Sequence, residues 1–333
     1  MRQITYSVIL LLFSLYCVKA DQPSKEYDQT TLCALKVKAN QGDLAASLEL
    51  AKFLYQPFPF DYWNVTNINF MRNNVDIPEA IKYFKMASQS PYKYLENDPI
   101  YRETTYHLAM LYFMETQQSL NGYLPNQGVA DKKLSDQAIY WAEQLRMIEP
   151  NQGNFLLAEL YNIDDPQLKD SAKSKMYLAK AVDGKFPQAL LVKAFAANTG
   201  SQKIELPKEA IKLINLAANT GNIQAIHMKA AITIEGDIKT YEEWRMTRDQ
   251  AFAVMRKNAE KGYVPSIRAL IKYDDEQREK WQEIYNKMLS DQEIIWLYYP
   301  PLTGSSDKTL NSDETDLVNK SEKDKRRLYK SCP

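Results

Sequence analysis

The run Leu213-Ile214-Asn215-Leu216-Ala217-Ala218-Asn219-Thr220-Gly221, continued by Asn222-Ile223-Gln224-Ala225, decides the fold. With Ala210 and Ile211 just upstream, its apolar residues fall at i, i+1, i+4 and i+7, on one face of a helix. Gly221 then offers a backbone that enters the left-handed region without a Cβ penalty, the usual way to end a helix. A second apolar helix resumes two or three residues later. A connection that short turns the second helix back against the first.

The same step recurs along the chain. Ala39-Asn40-Gln41-Gly42-Asp43, Ala181-Val182-Asp183-Gly184 and Ala259-Glu260-Lys261-Gly262-Tyr263 each lead into a new apolar run. Gly153, Gly184, Gly221 and Gly262 follow one another at spacings of roughly 30–40 residues, the period of helical repeat arrays. Each is expected to stop a helix. Between them two stripes alternate. One contains Leu108-Ala109-Met110-Leu111-Tyr112 and Leu157-Ala158-Glu159-Leu160-Tyr161, with Leu50 to Tyr55 as a looser copy. The other contains Ala80-Ile81, Ala138-Ile139 and Ala210-Ile211 with their i+4 and i+7 partners. Small residues let helices approach, so Ala109, Ala142, Ala158 and Ala217 are expected to be buried between helices. Start signals are Asp76 with Glu79, Ser135, Pro207 as a first-turn proline, and Thr247 with Gln250 as a capping box.

Ala138-Ile139-Tyr140-Trp141-Ala142 and Leu213 to Gly221 resemble the Sel-one-like repeats, relatives of the tetratricopeptide repeats, over about residues 33 to 290. The resemblance implies an exported bacterial member of that family. The fold is then all-α, a right-handed solenoid of stacked antiparallel helix hairpins in five to six repeats. It also implies a non-enzymatic adaptor. A sharper form follows from family members that act as immunity proteins, neutralising an antibacterial effector such as a phospholipase in the periplasm. The alternatives are an adaptor for envelope assembly or peptidoglycan maintenance, and a hydrolase that uses acidic residues.

The N-terminus carries an address. Arg2, the apolar stretch Val8 to Phe13 and the small-residue site Val18-Lys19-Ala20 read as a signal peptide over residues 1–20, cut after Ala20. Export then leads to the periplasm, or to secretion. A lead-in over 21–32, a repeat solenoid over 33–295 and a polar tail over 296–333 complete the expected organisation. After cleavage no stretch approaches 18 uninterrupted apolar residues, so no transmembrane segment is expected. Cys17 leaves with the signal. Cys33 and Cys332 remain, and in an oxidising compartment an even pair favours a disulfide. Two free thiols or a bridge between chains are the other outcomes. Cys332 reaches Cys33 within one chain only if the tail returns along the stack.

Composition narrows the function. Of 333 residues, 45% are hydrophobic and 25% charged, ordinary globular values. Lys and Arg number 42, as do Asp and Glu, so nothing supplies the electrostatic footprint of a nucleic-acid binder. There is no G-x-S-x-G, no H-E-x-x-H and no phosphate-cradling glycine loop. His107 and His227 are the only histidines and both sit in apolar helical stretches, as core residues do. No catalytic residue, metal site or cofactor is therefore expected.

Three insertions interrupt the repeats: Gln56 to Asn74, Thr116 to Leu134, and Gly236 to Met246. Loops carry function more often than the scaffold does, and large aromatics anchor interfaces. Phe58, Phe60, Tyr62 and Trp63, with Tyr241 and Trp244, are the candidate contacts to a protein partner. That partner would sit in the concave groove or on the aromatic loop edge. The alternative is that these rings fold back onto the protein's own ridge.

Overall fold

Most of the helices begin where a short polar side chain caps them. In the computed structural model, which describes residues 28–55, 76–91, 98–120, 131–196, 207–235, 244, 246–291 and 326–332, six first turns are capped by an aspartate. They are Asp28, Asp43, Asp76, Asp98, Asp131 and Asp170, each accepting from a backbone N–H two or three residues on. Thr247 and Gln250 form the expected capping box. Each cap satisfies an otherwise orphaned donor and contributes about 1 kcal/mol.

The helices are α1 (Gln29–Asn40), α2 (Leu44–Leu54), α3 (Ile77–Ala87), α4 (Pro99–Leu120), α5 (Lys132–Ile148), α6 (Pro150–Asn162) and α7 (Ser171–Asp183). They continue as α8 (Pro187–Ala196), α9 (Lys208–Asn219), α10 (Ile223–Glu235), α11 (Arg248–Glu260), α12 (Val264–Tyr273) and α13 (Arg278–Asp291). The described residues contain no extended strand. Each helix packs on its chain neighbours. The pairs α2–α3, α4–α5, α6–α7, α8–α9, α10–α11 and α12–α13 are hairpins, and α1 precedes them as a lone helix. The fold is an all-α solenoid of stacked hairpins.

Ala109, Ala142, Ala158 and Ala217 are buried at the helix contacts, as their size requires. The interior divides into three apolar clusters. The first joins α1 to the start of α8, the second spans α8 to α10 with Trp244, and the third spans α10 to α13. In α4 every residue from Thr104 to Met114 is buried, so the stack surrounds this helix on all sides.

Several local expectations need correction. Gly42, Gly221 and Gly262 are left-handed, with φ of 92°, 85° and 81°. Gly153 is not a helix stop. It lies inside α6, where a Cβ would sit 2.3 Å from the Arg146 backbone, so glycine there serves a close approach of α5 and α6. Gly184 is the C-cap of α7 with φ −73°, and the left-handed residue is Lys185, at φ 56°. Asp131, not Ser135, caps α5, and Pro207 is the N-cap of α9 rather than its first-turn residue. Thr116 to Leu120 extend α4, with the Thr116 hydroxyl donating to the Tyr112 carbonyl at 2.8 Å, so the second insertion is shorter than its polarity suggests.

Candidate functional site

An open groove of about 740 Å³ lies where the first apolar cluster gives way to the second. Its walls come from the end of α7, from α8 and from the outer side of α9. Val182, Leu190, Leu213 and Leu216 supply apolar surface, with Val182 and Leu216 left half-buried. Lys185, Lys193, Lys208 and Lys212 stand around it, against Asp183 and Glu209. Lys193 and Glu209 pair loosely at 3.6 Å. Lys185, Lys208 and Lys212 have no ion pair among the described residues and are exposed. The groove therefore presents an apolar floor inside a cationic rim.

Lys185 reaches that rim by an unusual turn. In the turns after α1, α9 and α11 the second residue past the helix is glycine. After α7 the glycine comes one position earlier. A Cβ at Gly184 would fall 1.9 Å from the Asn151 Oδ1, and Asn151 Nδ2 donates to the Gly184 carbonyl at 3.1 Å. The left-handed position is thereby left to a lysine, which costs about 1 kcal/mol or more relative to glycine.

The second feature is the docked C-terminus. Residues 326–330 form a helical turn against α1 and α3. The Tyr329 hydroxyl donates to Glu79 Oε2 at 3.0 Å, Lys36 Nζ donates to the Cys332 carbonyl at 2.9 Å, and Gln29 Nε2 donates to Ser331 Oγ at 2.9 Å. Tyr329 and Cys332 are buried in the first apolar cluster. The structure brings Cys33 and Cys332 together with Cα atoms 5.1 Å apart and the two sulfurs at bonding distance.

The remaining site residues fall differently. Phe58, Phe60, Tyr62, Trp63 and Tyr241 lie outside the described residues. Trp244 is buried, 3% exposed, and packs in the second cluster with Leu190, Leu213 and Met228. Its ring fills the interior instead of offering an anchor to a partner. Lys185, Lys193, Lys208 and Lys212 form no motif in the sequence; only the packing of α7, α8 and α9 gathers these four.

Both histidines are interior. His107 touches the rings of Phe84 and Tyr106, and His227 lies edge-on to Tyr263 with its Nδ1 2.9 Å from the Ser266 hydroxyl. Burial lowers both pKa values, His227 to about 4. A Ser–His contact is the core of a nucleophilic pair. Here Ser266 is wholly buried, so no substrate carbonyl reaches it. Glu103 meets Lys52 at 2.6 Å and His107 at 3.6 Å; desolvation pushes its pKa up, but hydrogen bonds and charge from these partners outweigh it and hold the carboxyl down at about 2. No group of three or more metal-ligating side chains occurs among the described residues.

Among the solved proteins similar to this chain are two repeat proteins. One is a protective antigen present in uropathogenic Escherichia coli strains and displaying an SLR fold, at 16% identity and a TM-score of 0.36, covering 79% of this chain and 56% of that one. The other is a Sel1 repeat protein from Oxalobacter formigenes, at 18% identity and a TM-score of 0.39, covering 72% and 58%. Both carry the repeat type that this sequence resembles. This chain spans little more than half the length of either. No family model matches it, and no curated protein does.

Proposed function

We propose that this protein is a non-enzymatic, exported scaffold that binds a protein partner. The observation that carries the proposal is the groove between α7, α8 and α9, whose apolar floor is rimmed by three lysines that have no ion pair among the described residues. The signal-like N-terminus and the close approach of Cys33 and Cys332 support export to an oxidising compartment, the periplasm in a Gram-negative cell. The repeat resemblance supports the finer reading, an immunity protein that neutralises an antibacterial effector there.

Amine-reactive cross-linking of the protein in its own envelope extract, followed by mass spectrometry, tests this. One protein partner is expected, joined through Lys185, Lys208 or Lys212. An effector encoded beside this gene would bear out the immunity reading, and an envelope-assembly or peptidoglycan-maintenance protein would assign the adaptor role instead. The absence of any specific cross-linked protein would overturn the scaffold reading.

A further inference from the structure

We infer that the groove between α7, α8 and α9 docks an acidic amphipathic segment of the partner protein, a step that rests on the scaffold reading above. Charge complementarity selects the occupant. The rim carries four lysines against Asp183 and Glu209, and three of the four have no ion pair among the described residues. Carboxylates on a partner segment would neutralise them, while its apolar side chains would cover Val182 and Leu216, which the fold leaves half-buried. A basic segment meets the like charge of the rim lysines and is rejected.

The backbone at Lys185 is the independent observation. Three equivalent turns place glycine in the left-handed position, and this one alone among them places a lysine there, at φ 56°. Gly184 is accounted for by its contact with Asn151, but that contact does not require a side chain at 185. A strained residue that a glycine would relieve is retained where its side chain has a use. The use here is a cation at the mouth of the groove, next to Asp183 and across from the start of α9.

The test pans a display library of short random peptides on the full-length protein, with the Lys208→Glu/Lys212→Glu double variant as the counter-target. Both positions are exposed, so the variant is expected to keep the parent's circular dichroism and melting temperature. Selected peptides should combine Asp or Glu with large apolar residues and bind the parent roughly tenfold or more tightly than the variant. Lys185→Gly should raise the melting temperature and weaken the same peptides, a trade that a purely structural lysine would not show. Peptides that are net basic, or that bind parent and variant alike, would overturn the inference. So would sedimentation with phosphatidylglycerol vesicles that the double variant abolishes while no peptide is selected, which would assign the rim to lipid. A cross-linked partner joined elsewhere on the stack would also overturn it and leave the scaffold reading intact.

Discussion

Lys185 and Gly153 show how single backbone positions are decided by neighbours. Replacing Lys185 by glycine should stabilise the fold by about 1 kcal/mol, because the left-handed backbone no longer strains a Cβ; an unchanged melting temperature would mean that the turn relaxes. Gly153→Ala should do the reverse of the usual helical rule. Alanine ordinarily gains about 1 kcal/mol over glycine in a helix, but its Cβ would meet the Arg146 backbone at 2.3 Å, and overpacking costs about 1–3 kcal/mol. Thermal unfolding should show net destabilisation. Two titrating residues pull in opposite directions. Glu159 is half-buried on α6, and desolvation raises its pKa from 4.5 to about 7. The folded state therefore holds its proton more tightly, which stabilises below about pH 4.5 and is lost as the pH rises to about 7. Burial lowers His227 from 6.5 to about 4, so its contribution is present above 6.5 and lost as the pH falls to about 4. Between 4.5 and 6.5 the two slopes oppose. Glu159→Gln should stabilise by about 1–3 kcal/mol above neutral pH, gain nothing near pH 4, and fall more steeply on acidification than the parent. Equal melting temperatures in mildly alkaline buffer would show that Glu159 is hydrated.

At the scale of the helix, caps and contact alanines set the boundaries. Asp131→Ala removes the side chain that accepts from the Lys133 and Leu134 N–H groups, and should cost about 1 kcal/mol in urea unfolding. Ser135→Ala should cost less, since its hydroxyl donates back to Lys132 inside the helix. The helical pairing was legible in the sequence because the 3.6-residue period survives in α3, α5 and α9, though not in the fully buried centre of α4, and Ala109, Ala142, Ala158 and Ala217 sit at contacts, as their size demands. Gly153 does not stop a helix, and Gly184 stops one without being its left-handed residue, for one reason. A glycine required by close approach, at 153 or 184, looks the same in one dimension as a glycine required by a left-handed turn. The groove was not legible, since its lysines come from α7–α9 and meet only through packing. A large aromatic in a polar stretch suits an interface and an interior equally well in one dimension, and packing puts Trp244 in the interior.

Over the whole molecule, the C-terminus lies against α1, the helix at the opposite end of the chain order. Tyr329, Ser331 and Cys332, through their contacts to Glu79, Gln29 and Lys36 respectively, cover the first helices of the stack. A Cys33–Cys332 bond would close a loop across a sequence separation of 299. Chain entropy alone then contributes about 5 kcal/mol, less any strain and residual structure. Cys332→Ser should lower the melting temperature in oxidising buffer and change nothing in reducing buffer. The most direct measurement is peptide mapping by mass spectrometry, without reduction, of protein recovered from its native compartment. A stack closed end to end in an oxidising compartment predicts one dominant linked peptide joining Cys33 to Cys332 within a monomer, with the chain beginning at Asp21. Two free thiols, or a linked peptide found only in a dimer that separates on reduction, would contradict it.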